Sequence, residues 1–154
     1  MSFTNEISIL ISGVICGMIL FQTVVVAPSV FKTMDESSTG LFLRSVFPRL
    51  FLIILTLGLL SVFLTTVFGS PSSANIITSG FTVLGMSICY LIVPATNRSK
   101  DDGNKILFGR LHALSVFLTM SVLIANLISL ERKLVALLLL KIAFQFSLWT
   151  KSFE

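Results

Sequence analysis

The chain has 154 residues, of which 55% are hydrophobic and only 12% charged, with a mean hydropathy of +1.00. Soluble domains carry about a quarter charged residues, so this composition excludes a soluble fold and defines an integral membrane protein. The formal charge of +4 points to lipid head groups and not to nucleic acid, because the eleven Lys and Arg flank apolar runs and form no groove-facing patch.

Residues 7–26, 50–68, 76–93 and 111–130 contain no Asp, Glu, Lys or Arg. Each run is close to the roughly 20 residues that cross about 30 Å of hydrocarbon as a helix. The expected fold is an all-α membrane bundle of four spanning helices. Nothing basic precedes the first run and it is long for a signal peptide, so it reads as a retained span. Cys16 and Cys89 fall inside spans, where cysteine packs as a small apolar residue and carries no redox information.

In the first span Gly13 and Gly17 sit four apart, a pattern that lets a second helix approach closely. Pro28 is expected to end this helix, because proline cannot continue the hydrogen-bond ladder. Residues 32–47 then read as a loop of mixed charge, with a Ser-Ser-Thr-Gly turn at 37–40. In the second span Gly58, Ser61 and Thr65 recur at i, i+3 and i+7, a stripe within about 60° that faces protein. Residues 69–75 form an uncharged turn that sets helices two and three antiparallel. Helix three is expected to end at Pro94, followed by a loop over 98–105.

Loops one and three hold Lys32, Arg44, Arg49, Arg98, Lys100, Lys105 and Arg110, whereas the intervening turn holds no basic residue. The positive-inside rule therefore places loops one and three in the cytoplasm and the amino terminus outside. These loops also match each other at an offset of 66 positions. Pro28, Asp35, Leu41, Phe42 and Arg44 recur as Pro94, Asp101, Leu107, Phe108 and Arg110. Glu36 and Asp102 match in charge. The pattern suggests a duplicated helix pair, residues about 7–69 and 75–130, within a four-helix domain over 1–130. The paired acids Asp35, Glu36, Asp101 and Asp102 with Arg44 and Arg110 then suggest reciprocal ion pairs at the cytoplasmic rim.

Helix four is the most polar span. His112, Ser115, Thr119 and Asn126 share one face, which must turn away from lipid as interhelical hydrogen-bond glue or as a binding surface. His112 is the sole histidine. One histidine with two scattered cysteines matches no zinc pattern, and a haem with two histidine ligands cannot form within one chain. A His/Met pair or a haem shared between chains stays open, and no cofactor is expected. No catalytic triad, paired intramembrane carboxylates or phosphate loop is present, which favours a non-enzymatic protein. A further apolar run over 134–149, interrupted by Lys141, reads as a fifth, C-terminal membrane-embedded helix within 131–154. Lys141 and Gln145 form its narrow polar strip and are candidates to meet a partner subunit.

Ala27-Pro28-xx-Phe31-xx-Met34, Gly40, Phe47-Pro48, Asn97-Arg98 and Arg110-Leu111-His112-xx-Ser115 together resemble the transmembrane protein 205-like family over about residues 10–130. That resemblance implies a small four-helix membrane protein of unknown function. Ala113, Thr39 and the last apolar run depart from its pattern. Two functions remain in view. One is an accessory or structural subunit that packs in a larger membrane complex or a homo-oligomer. The other is a small-molecule or ion transport or binding protein that uses the polar face of helix four.

Overall fold

A computed structural model describes the backbone over residues 3–68 and 73–151, and the side chains over 6–68 and 74–131. The first span begins as helix α1, Phe3–Phe21, and passes through one π-helical turn, Gln22–Val26, into α2, Ala27–Thr33. Pro28 therefore does not end the helix. In hydrocarbon a frayed helix end leaves backbone groups without water, so the chain re-satisfies them locally by widening a turn. The N–H of Ala27 bonds the carbonyl of Gln22, one residue further back than in an α-helix. Pro28 then falls in the first turn of α2, where its missing N–H costs nothing.

The same physics overturns the two expected loops. α3 runs unbroken over Glu36–Phe68 with Pro48 inside it, and α4 over Ser73–Asp101 with Pro94 inside it. Residues 37–40 are helical and form no turn. Loop one shrinks to Met34 and Asp35, and loop three to residues 102–104. Each following helix is capped by a side chain. The Ser38 N–H donates to Asp35 Oδ2 (3.1 Å), and the Leu107 N–H to Asn104 Oδ1 (3.0 Å). The short second connection closes through Gly103 at φ +71°, a conformation that costs glycine little. Hydrogen bonds from the Ser38 hydroxyl and backbone N–H hold the Asp35 carboxyl below the usual carboxylate range.

α5 is one continuous helix, Lys105–Lys151. The fifth apolar run is thus an extension of the fourth spanning helix, roughly 70 Å in total length at 1.5 Å per residue, and is not a separate element. The side chains of Lys141 and Gln145, and so the expected partner contact, lie outside the described residues.

Four helices among the described residues are long and apolar enough to cross a membrane. They close a ring in which α1 packs on α3 and α5, and α4 packs on α3 and α5. Ile15, Ile19, Ile54, Met86, Cys89 and Val122 form the centre of the core, each almost fully buried. Polar residues are buried with them, while large apolar side chains such as Leu10, Phe63, Leu84, Leu91 and Phe117 point outward. An apolar exterior around an interior that mixes apolar and small polar side chains is the inverse of a soluble bundle. It is the arrangement expected of a multi-pass membrane protein, where small polar contacts hold helices together.

α3 and α4 approach closely. A Cβ on Gly58 would come within 3.1 Å of Val83 Cγ2 and 3.2 Å of Thr82 Cγ2. One turn on, the Ser61 and Ser79 hydroxyls share a hydrogen bond of 2.7 Å, and Thr65 returns its hydroxyl to the Ser61 carbonyl. Gly13 and Gly17 behave otherwise, because a Cβ at either meets open space. Among the described residues no helix closes on them. The packing face of α1 is instead the stripe of Ile11, Ile15 and Ile19, whose larger side chains fill the space between helices.

Candidate functional site

A cavity of about 770 Å³ enters the bundle from the end that carries the two short loops. The segment from the π turn into α2 and helices α3, α4 and α5 all line it, α4 with Val93, Thr96, Asn97 and Lys100. The π turn presents Gln22 and Thr23. α3 contributes Phe47, Leu50 and Phe51, and α5 contributes Phe108, His112, Ser115 and Thr119. The π turn is also why there is space here. α1 packs on both α3 and α5, but beyond the inserted residue α2 stays on α3 and leaves α5, so α2 and α5 part at the loop end. Phe31 of α2 lines the gap from one side and Phe108 from the other.

The cavity is graded from mouth to floor. Glu36, Arg44, Lys100 and Asn97 lie toward the mouth, next to the loops. The floor is Ile19, Leu50, Phe51, Thr119 and Met120, close to the midpoints of the spans Glu6–Thr33, Glu36–Phe68 and Lys105–Glu131. From Glu36 to Phe51 a helix rises about 22 Å, so the cavity reaches through roughly one leaflet. Phe47 and Phe51 stack along its wall with ring centroids 5.8 Å apart.

The candidate residues divide between this cavity and the packing core. His112 is exposed at the mouth, its ring parallel to Phe108 at 5.8 Å. Ser115 and Thr119 line the wall below it, each donating its hydroxyl to a carbonyl one turn back. Asn126 shares their stripe but lies beyond the floor. It is 3% exposed, and its Nδ2 donates at 2.9 Å both to Thr82 Oγ1 of α4 and to the Val122 carbonyl. One stripe of α5 therefore serves two environments, a cavity wall near the loops and helix glue at the far end.

The rim acids and arginines come together once. Arg44 forms a two-pronged ion pair with Asp101, tying α3 to the end of α4. The reciprocal pair does not form. Asp35 is engaged in capping α3, Arg110 is exposed, and among the described residues no ion pair links them. The physical reason is register. α3 begins at Glu36 and α5 at Lys105, 69 positions apart and not 66, so the matched acids occupy different places relative to their helices. Glu36 faces the cavity, and Asp102 is exposed in the second loop. Among the described residues no group of three His, Cys, Asp or Glu is placed to hold a metal ion.

The residue that the sequence reading passed over is Gln22. It is 7% exposed, lines the cavity, and its Nε2 has no hydrogen-bond partner. The available signal was an amide side chain inside a span otherwise free of long polar groups, six residues before a proline.

Residues 10–105, well over half of the chain, match the model of a domain of unknown function, DUF4149. The chain belongs to the DUF4149 family. The match establishes this family and not the narrower transmembrane protein 205-like one. No curated protein and no solved structure matches the chain. The DUF4149 region covers Gln22, the π turn, the Arg44–Asp101 pair and the α4 wall, and it stops at the start of α5, before His112, Ser115 and Thr119. Within this DUF4149 protein the cavity is thus assembled from the family region together with the helix that follows it.

Proposed function

We propose that this protein binds a small amphipathic molecule within the membrane, in the cavity lined by α2, α3, α4 and α5. The observation that carries the reading is the gradient of that cavity, charged and amide groups at the mouth, aromatic and aliphatic walls, and a floor at mid-membrane. Its volume of about 770 Å³ falls within the roughly 300–1,000 Å³ of small-molecule sites. By the asymmetry of basic residues the mouth opens at the cytoplasmic face, so a ligand would enter from the cytoplasm or from the inner leaflet. The narrower kinship with transmembrane protein 205-like proteins, and the origin of the bundle as two copies of one helix pair, are part of the same proposal. The other sequence reading, a subunit acting by packing alone, has less to rest on. Its interior polar stripes are spent within the chain, on Ser61–Ser79 and Asn126–Thr82.

The test is to extract purified protein with organic solvent and identify what it carries by mass spectrometry, alongside a Ser115→Phe variant that fills the wall. A molecule present near one per chain in the native protein and depleted in the folded variant supports the reading. Equal and trace amounts in both, with no binding of added amphiphiles, would reject it. An absorption spectrum of the same sample decides the haem question directly, since a Soret band would make haem the occupant.

A further inference from the structure

We infer that Gln22 is the ligand-orienting donor of this cavity and that its ligand carries an uncharged carbonyl oxygen on an apolar body. The inference rests on the binding reading above and adds the chemical class of the ligand. Among the described residues, Gln22 Nε2 is the one buried side-chain nitrogen or oxygen without a hydrogen-bond partner. A buried amide N–H without a partner is costly, and more so at membrane depth, where water does not compensate it. Gln22 lies 11 residues before the end of α2, about 16 Å below the loops, near the middle of a bilayer about 30 Å thick.

Its position is fixed by the backbone. Gln22 opens the π turn, and its own carbonyl accepts the Ala27 N–H that closes the turn. Single π turns recur at functional sites because they aim one side chain differently from its neighbours. Here the turn places Gln22 among the residues that line the cavity, with its amide nitrogen buried at the cavity's edge.

The surroundings select the chemistry of what it meets. Thr23, Ser115 and Thr119 also line the inner cavity, but each hydroxyl proton is already given to a carbonyl of its own helix, at 2.8, 3.2 and 2.7 Å. These groups offer lone pairs only. Gln22 is therefore the free donor at the inner end, and the complementary group is an acceptor. A carboxylate does not suit this depth, because the cations of the cavity, Arg44 and Lys100, lie toward its mouth. A neutral carbonyl does. Two sources supply it, the ester of an acyl lipid and the ring carbonyl of a quinone-type molecule.

The experiment uses the full chain in detergent and measures binding of tritiated methyl palmitate by scintillation proximity. Decylubiquinone serves as the ring-carbonyl competitor and hexadecane as the competitor without an acceptor. In the native protein the better carbonyl compound is expected to bind roughly five- to tenfold more tightly than hexadecane, the effect of one hydrogen bond. Which of the two it is identifies the source. Gln22→Leu should abolish this preference while leaving the affinity for hexadecane unchanged or raised. Gln22→Met, close in shape and without a donor, repeats the test should the leucine variant not fold. Equal binding of all three compounds to native protein, or a carbonyl preference that survives in the variants, overturns the role of Gln22 and leaves the cavity reading standing. No binding by any of the three overturns both.

Discussion

The hydrogen bond from Asn126 to Thr82 offers the sharpest separation of packing from binding, because Asn126 shares a helical stripe with the cavity residues yet touches only protein. Asn126→Leu keeps the volume of the side chain and removes its amide. The loss is limited. The Thr82 hydroxyl still donates to the Thr78 carbonyl at 2.9 Å, so no donor is orphaned, and the Val122 carbonyl keeps its place in the α5 ladder. Interhelical hydrogen bonds in membranes average about 0.6 kcal/mol and reach about 1.7 kcal/mol. With Thr82 at 0% and Asn126 at 3% exposure, this bond belongs in the upper half of that range. A double-mutant cycle of Asn126→Leu and Thr82→Val, read by SDS-driven unfolding in mixed micelles, should return a coupling of about 1 to 1.7 kcal/mol. Ligand affinity should stay at the native value in all three variants. Additive effects, with no coupling, would refute the glue assignment. A folded Asn126→Leu protein that no longer binds would place Asn126 in the site and redraw the cavity floor.

Gly58→Val should destabilise the α3–α4 pair by about 1 to 3 kcal/mol, since even a Cβ there meets Val83 and Thr82 at contact distance, whereas Gly17→Val should be nearly neutral; the same micelle unfolding measures both. Gln22→Leu, tested without ligand, should raise stability by about 1 to 3 kcal/mol by removing an unpaired buried amide, and a loss of stability would instead make Gln22 a structural residue. Exchanging the charges of Arg44 and Asp101 together should preserve the unfolding midpoint, and the single Arg44→Asp change should lower binding of the amphiphile through its effect on the cavity mouth. Cysteines placed at Ser38 and Asp102, both exposed near the short loops, should react with an impermeant maleimide from the cytoplasmic side alone. The buried native Cys16 and Cys89 should stay silent.

The fold was legible because hydrocarbon thickness leaves so little choice. Charge-free runs of about 20 residues in a chain of this hydropathy have no other stable form, and the stripe of Gly58, Ser61 and Thr65 could face only another helix. The helix ends were not legible, because Pro28 and Pro94 were weighed by their effect in water. There a proline frees backbone groups that solvent satisfies. At a membrane the same groups would be stranded, so the helices run on through both prolines and the loops contract to two and three residues. The glycine pair at 13 and 17 failed for a different reason. Spacing shows that a close approach is permitted, and says nothing about whether a helix arrives.

The cavity was half legible, and the divide follows from what a periodic pattern encodes. Periodicity places His112, Ser115, Thr119 and Asn126 on one side of α5, but the pattern repeats every turn while the environment along the helix does not. The neighbour changes at the depth where α2 leaves α5, and that depth is set by the π turn on another helix, more than 80 positions away. Above it the stripe lines a cavity; below it Thr82 fills the space and Asn126 becomes glue. A π turn has no sequence signature as clear as a proline, because it is a response to one. What the sequence does carry is the proline and, six residues before it, a glutamine in an otherwise apolar span. In hydrocarbon, such a residue either finds a protein partner or needs one from elsewhere, and Gln22, buried at the edge of the cavity with its Nε2 unpartnered, is of the second kind.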